Sequence, residues 1–358
     1  MSSSPTTVRR ADSSARIREA ERFAHEILPS VSRTFAISIR FLPGTLGTAV
    51  CTAYLLCRIA DTVEDDGTTA PERRAELLEQ FLRTLEDAEA ADAFPSLAAS
   101  LKGDAAHLTL VSRTDLVLVL FRTLPPETRA RVAHWVREMG AGMAKFVRAY
   151  PAGIRIQTVA EYKEYCYYVA GTVGFMLTDL WHLHAHAVGQ REFDRLSAKC
   201  QAFGEALQTV NILKDIAWDA EHENSIYIPA QELAAQGSGH ETLLSPSHLE
   251  KNHKAVARFI ELARADLDDA LEYILMIPRR SFAVRAFCVL PLLFAYATLR
   301  DLSRSRAMLT PGGAVKISRR EVRSLMIAGV ATILSNRALR RLVARVRQRP
   351  FTLALAGR

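Results

Sequence analysis

Hydrophobic residues recur at three- and four-residue intervals along almost the whole chain, which is the period of an α-helix with one buried face. Alternating Val/Ile/Thr runs bounded by turns, the pattern of a half-buried strand, are scarce. The spacing predicts helices over about 16–28, 32–42, 46–64, 71–89, 115–123, 127–149, 159–184, 191–218, 246–275, 280–304 and 319–347. Between them lie LPGT, DDGTTAPE, LPPET, YPAGI, AAQGSGHETLLSPS, IPRR and LTPGGAV, each with Gly, Pro or polar turn residues. None is a long linker and no fixed period repeats, so the expectation is one all-α domain.

The chain has 358 residues, 49% hydrophobic and 24% charged, the balance of a globular protein with a packed core. No apolar run approaches the roughly 20 residues that cross a bilayer, the longest candidate being FCVLPLLFAYATL with a proline inside it. Residues 1–16 carry Ser, Thr and Arg without an apolar h-region, so they read as a disordered leader rather than a secretory signal. The five cysteines form no C-x-x-C pair, which fits a reducing cytoplasm and implies neither a zinc site nor a disulfide framework.

Net charge is +7, and it is uneven. From Lys316 onward there are eleven Lys and Arg against the single acid Glu321, so the basic surface is C-terminal. In residues 331–358, SNRALRRLVARVRQRP puts Leu339, Leu342, Val343 and Val346 on one face among arginines, a basic amphipathic helix suited either to the anionic inner face of a membrane or to plain packing as a C-terminal helix. No recognition motif accompanies this charge, so nucleic acid is not an expected partner.

The segment YLLCRIADTVEDD places four acids directly after an apolar run, with Asp61, Glu64 and Asp65 on one helical face. Like charges at i, i+4 destabilise a helix by a few tenths of a kcal/mol, and a bound cation would offset that. In FGEALQTVNILKDIAWD, Gln208, Asn211, Asp215 and Asp219 form a second polar stripe on an otherwise apolar helix. Both helices thus offer a D-x-x-x-D pair with a basic neighbour, Arg58 and Lys214. Mg²⁺ takes few protein carboxylates and leaves its other positions to water and substrate phosphate. Cations beside the acids suit a diphosphate that is first bound and then expelled, so the pattern points to ionisation of an allylic diphosphate.

A carbocation formed in that way needs a dry pocket with aromatic faces. EYCYYVAGTVGFMLTDLW supplies them: Tyr165, Val169 and Thr172 or Val173 share a face, and Ala170, Gly171 and Gly174 permit close helix packing. His182, His184 and His186 are spaced by two and diverge on a helix, and Asp266, Asp268 and Asp269 lack the i, i+4 pair, so neither set is a metal site. There is no G-x-G-x-x-G after a strand, so a nicotinamide cofactor would not bind in the Rossmann manner.

Taken together, SRTFAISIRFLP, YLLCRIADTVEDD, YCYYVAGTVG, LQTVNILKDIAWD, IYIP, FCVLPLLFAYATL and GGAVKI resemble, in order, the squalene and phytoene synthase family over about residues 30–325. The resemblance implies an isoprenoid-synthase helical bundle around a central cavity, spanning 17–330. It implies Mg²⁺-dependent condensation of two farnesyl diphosphates through presqualene diphosphate. By position, Asp61, Asp65, Asp215 and Asp219 would bind Mg²⁺, with Gln208 and Asn211 lining the second site. Ser32, Arg33, Arg58 and Lys214 resemble diphosphate contacts, and Tyr165, with Tyr54 nearby, resembles the tyrosine that handles protons.

FCVLPLLFAYATL and GGAVKI are similar to the squalene synthase branch. In that branch Phe287 resembles the aromatic residue of the reductive half-reaction, and Lys316 a contact to the NADPH phosphate. Two positions depart from the family: Ser225 stands where an arginine is usual, and Ser318 where a basic residue follows the lysine, with Arg319 next to it as a substitute. The implied product is squalene. The alternatives are a presqualene diphosphate, dehydrosqualene or phytoene synthase without reduction, a class I terpene cyclase, or a non-catalytic lipid-binding relative. Eukaryotic members end in a membrane anchor that is not expected here.

Overall fold

The computed structural model describes residues 5–353, of which 5–13 and 33 are described by backbone alone. The predicted all-α class holds: among the described residues there is no strand, only a single parallel bridge between Arg155 and Ile226. The chain divides into two compact units, Met1–Arg148 and Ala149–Arg358, where one domain was expected.

The first unit contains α1 (Pro5–Val31), α2 (Arg33–Ile39), α3 (Gly44–Glu64), α4 (Pro71–Arg83), α5 (Ala88–Leu97), α6 (Ala105–Ser112), α7 (Thr114–Thr123) and α8 (Pro126–Ala149). Helix α1 starts inside the segment expected as a leader; Ala and Arg, frequent there, are good helix formers. The helix predicted over 71–89 stops at Arg83, because Asp87 begins a new one by accepting hydrogen bonds from the Glu89 and Ala90 amides. Helix α3 is the core of this unit, with Leu55, Leu56, Ile59, Ala60 and Val63 fully buried against neighbours that include α1, α4, α6 and α7. At its start a Cβ on Gly47 would lie 2.5 Å from the Leu42 carbonyl oxygen, so the LPGT turn can close only over glycine.

The second unit contains α9 (Val159–Cys166), α10 (Thr172–His184), α11 (Gln190–Ser197), α12 (Cys200–Trp218), α13 (Ala230–Ala234), α14 (Leu249–Met276), α15 (Phe282–Leu302), α16 (Arg319–Thr332) and α17 (Asn336–Gln348). A π-turn, Tyr167–Gly171, interrupts the predicted 159–184 helix, and a second, Asp219–Glu223, extends α12. Helix α12 lies at the centre of this unit, against α10, α14 and α15. Its backbone touches the preceding segment: a Cβ on Gly174 would lie 2.0 Å from the Cys200 carbonyl oxygen, and one on Gly204 2.0 Å from that of Ala170. The expected close packing at Gly174 is therefore a backbone-to-backbone crossing.

Two corrections concern membranes. Helices α3 and α15 are long and apolar enough to cross a bilayer, with mean hydropathy 1.3 and 1.9, although no such run was expected; the most apolar window of each is largely buried (67% and 83%), which marks core helices. The apolar face of α17 is not free for lipid either. Leu339, Leu342, Val343 and Val346 are all buried, in a helix that packs on α15 and α16. Beside it Arg300 and Glu321 form a buried two-pronged ion pair at 2.7 and 3.0 Å, and Glu321 also accepts from the Phe351 amide. All five cysteines are free.

Candidate active site

In the first unit, Tyr54, Arg58 and Asp61 project from successive turns of α3. The Tyr54 hydroxyl donates to the Val31 carbonyl (3.2 Å), Arg58 Nη2 donates to that hydroxyl (3.3 Å), and Arg58 Nη1 lies 3.3 Å from Asp61 Oδ2. The Arg58 guanidinium also sits over the Tyr54 ring, 5.8 Å from its centre. Burial opposes the Arg58 charge, but Asp61, Tyr54 and Asp65 outweigh it and raise its pKa. Burial raises the Asp61 carboxyl above the usual carboxylate range, and Arg58 pulls it back. Arg58 Nε is buried and has no hydrogen-bond acceptor among the described residues. A buried guanidinium N–H without an acceptor fits a site that takes an anion.

The four acids separate in the fold. Asp65 is exposed one turn beyond Asp61, whereas Glu64 is buried and does not share their face. Asp66 organises the following turn, accepting from the Thr68 amide and hydroxyl, the Thr69 hydroxyl and the Lys102 amide. Of the four, Asp61 and Asp65 remain as candidate ligands. Ser32 Oγ accepts from the Phe35 amide and so caps α2, while the Arg33 side chain lies outside the described residues. His107, which carries no motif in the sequence, bonds the Val31 backbone beside this cluster; burial and the Arg58 charge hold its pKa down.

In the second unit, Gln208 is half-buried, Asn211 exposed, Asp215 40% exposed at its side chain and Asp219 buried, so the stripe is most open at Asn211 and returns to the core at Asp219. Lys214 Nζ lies 2.8 Å from Asp215 Oδ2. Asp219 stands where the helix widens into a π-turn, a feature that recurs at functional sites. Its carbonyl accepts from the Asn224 and Ser225 amides, and Asn224 adopts a left-handed conformation (φ 48°). A Cβ on Gly153 would collide with the Asn224 carbonyl, so the YPAGI loop clasps the end of this turn only because glycine is there. Ser225 is buried and brings no charge; the nearby cation is Arg155, which donates to the Asn224 side chain.

The Ile226 amide donates to the Ile154 carbonyl, and this pairing sets the next residue, Tyr227, against Tyr165. Their rings stack at 4.8 Å and Tyr165 Oη donates to Tyr227 Oη across 3.3 Å, both residues being buried. Tyr227 is a candidate site residue that spacing did not single out; its only signal was the IYIP segment. The π-turn shifts the register beyond Tyr165, leaving Val169 and Val173 half-buried and Thr172 buried.

Phe287 is packed in the core, edge-on to Trp181 at 5.4 Å. The GGAVKI loop is tied to the second aspartate turn, where the Gly312 amide donates to the Glu221 carboxylate at 3.0 and 3.2 Å. Lys316 and Arg319 are exposed beyond it, and Ser318 caps α16 by accepting from the Glu321 amide. His182 closes a loop through the Val188 carbonyl, and Asp268 and Asp269 pair with Arg347 and Lys199.

Among the described residues no three His, Cys, Asp or Glu side chains converge into a metal cage. Two carboxylate pairs, each a pair of hard oxygen donors, nevertheless fit Mg²⁺, which needs only one or two carboxylates from the protein. Lys316 and Arg319 at the start of α16 fit a phosphate in the same chemical sense.

Residues 28–321 match the squalene/phytoene synthase family. Squalene synthase 1 of Arabidopsis thaliana is 29% identical over 279 residues, 77% of this chain and 64% of that protein. The squalene synthase of Schizosaccharomyces pombe is 27% identical over 304 residues, 83% of this chain and 64% of that protein. The chain therefore spans just under two thirds of the length of these curated relatives. A ligand complex of TcSQS superposes with a TM-score of 0.80 at 24% identity, covering 95% of this chain and 94% of the other, which establishes a shared fold. With both aspartate helices and the Tyr165 segment inside the matched region, the chain belongs to the squalene/phytoene synthase family.

Proposed function

We propose that the chain is a Mg²⁺-dependent squalene synthase that joins two farnesyl diphosphates through presqualene diphosphate and reduces that intermediate to squalene with NADPH. The observation that carries this reading is the Tyr54–Arg58–Asp61 row, in which a half-buried guanidinium, fixed by Tyr54, presents positive charge beside a carboxylate suited to a metal. The names of the similar proteins support the product.

In this reading Asp61 and Asp65, and separately Asp215 and Asp219 with Gln208 and Asn211, hold Mg²⁺. The bound ions supply positive charge that stabilises the departing diphosphate. Arg58 and Lys214 contact the diphosphate oxygens, Arg58 being fixed in place by Tyr54 and Asp61. The Tyr165 hydroxyl, oriented by Tyr227, holds and passes a proton in the first half-reaction. Phe287 shields the cation of the second, and Lys316 and Arg319 hold the NADPH phosphate. We place the enzyme in the cytoplasm, peripheral to the anionic inner face of a membrane that receives the hydrocarbon product.

Ser225 and Ser318 favour a second reading, an enzyme that stops at presqualene diphosphate or releases dehydrosqualene, since neither serine brings the charge usual in the family. Incubation with farnesyl diphosphate and Mg²⁺, with and without NADPH, followed by mass spectrometry, separates the two. Squalene only in the NADPH tube establishes the full reaction. The same non-reduced product in both tubes establishes the shorter one, and a product containing one prenyl unit overturns both.

A further inference from the structure

We propose that the exposed face of α16, together with Phe282 at the start of α15, is a docking surface for an anionic lipid bilayer. Ile327, Val330 and Leu334 are 56%, 39% and 61% exposed, and Phe282 61%. Arg323, Ile327, Val330 and Leu334 follow one another by four, three and four residues and so form one stripe of the helix and its end. The opposite face, Glu321, Ser324, Leu325 and Gly329, is buried.

Arg285 brings Phe282 to the same end. Its fully buried guanidinium donates to the carbonyls of Ile277 (2.7 Å) and Ile333 (2.6 Å) and to the Asn336 side chain (2.8 Å). The turn from Ile277 to Phe282 and the turn from Ile333 to Asn336 are therefore pinned to a single group. Arg279, Arg280, Arg323 and Arg337 are exposed around the apolar side chains and make no ion pair among the described residues. By contrast, Arg340 and Arg347 of α17 are paired with Glu272 and Asp268.

The occupant must accept both apolar side chains and uncompensated positive charge. A second copy meeting this face across a two-fold axis would set the arginines against themselves. Nucleic acid would meet the arginines and leave Ile327, Leu334 and Phe282 in water. A bilayer with anionic headgroups takes both, the apolar groups entering the headgroup boundary while the arginines meet the headgroup charge. This deepens the membrane-side part of the proposed function and rests on it, but it does not depend on the chemistry. It also relocates the contact from the α17 face, which is buried.

The test is co-sedimentation of the full chain, without substrate, with vesicles of phosphatidylcholine alone or mixed with phosphatidylglycerol. Binding to the anionic vesicles only, weakened by salt, is the expected result. Arg279→Glu with Arg280→Glu should lower affinity about thirtyfold, the equivalent of about 2 kcal/mol. Ile327→Ser with Leu334→Ser should lower it too, with unchanged thermal midpoint because both positions are exposed. Wild-type affinity in both variants, or no binding to anionic vesicles, overturns the proposal. So does a dimer in gel filtration that the Ile327→Ser/Leu334→Ser variant converts to monomer. Product formation from farnesyl diphosphate is measured separately in vesicle-free buffer, so that loss of the catalytic reading leaves the binding result intact.

Discussion

Tyr165 and Tyr227 stack at 4.8 Å with their hydroxyls 3.3 Å apart, although 62 residues separate them in sequence. A buried phenol that donates its hydrogen bond to another phenol is held in one orientation. Replacing Tyr227 by Phe removes the partner and keeps the ring. The expected outcome is a fall in the rate of presqualene diphosphate formation of about tenfold to a hundredfold with little change in substrate KM, read by single-turnover product analysis. An equal loss in kcat with a lowered melting temperature would instead mark Tyr227 as packing.

Asp61→Asn and Asp215→Asn probe the two carboxylate pairs independently. Each should reduce turnover by about a hundredfold to a thousandfold while circular dichroism stays unchanged. Both substitutions also remove the partner of a cation, Arg58 or Lys214. Arg58→Lys therefore belongs in the series: it keeps the charge but loses the fork that donates to Tyr54, and should raise KM for farnesyl diphosphate. Chelation by EDTA should abolish turnover, with recovery on adding Mg²⁺. Full activity in EDTA would remove the metal from the mechanism.

The Arg300–Glu321 pair is almost completely buried, with side chains 1% and 3% exposed, and it also holds the Val346 carbonyl and the Phe351 amide. Glu321→Gln removes the more deeply buried of the two carboxylates on Arg300 and leaves the guanidinium with Asp301 alone, 2.8 Å away and partly exposed, so the cost should fall below the roughly 3–5 kcal/mol of a fully broken buried pair. The thermal midpoint should fall, and limited trypsin digestion should cut at the exposed Arg347 faster than in the wild type. Replacing both partners by apolar residues of similar size should recover much of the loss.

The all-α class was legible because helical periodicity runs through nearly every segment, and the aspartate pairs because i, i+4 spacing fixes a shared face. Glu64 was misplaced for the same reason: at i+3 from Asp61 it lies near the edge of that face, and the packing of α3, not periodicity, turned it inward. The π-turns at Tyr167 and Asp219 were invisible because one extra residue in a turn leaves no compositional mark. The α17 apolar face was recognised correctly, but amphipathicity is the same whether the apolar side meets lipid or α15, and only the fold decides. Tyr227 depends on a loop clasped by Gly153 from far away in sequence, a tertiary constraint that no local window contains.

Asp266 gives a pH-dependent prediction. Burial pushes its carboxyl up to about 6, with Lys163 opposing and Asp269 adding to the shift. Between the ordinary carboxylate value of about 4 and this raised one, the folded chain binds more protons than the unfolded chain. Stability contributed at this position therefore falls as pH rises through that window, and the loss is complete above about pH 6. Asp266→Asn keeps the shape and removes the charge, so it should raise the thermal midpoint relative to wild type at pH 7 and leave it nearly equal at pH 4. Differential scanning fluorimetry of both proteins across that range reads the difference directly. A gap that stays constant with pH would mean that the substitution acts through packing, and the Asp266 carboxyl would then titrate as it does in water.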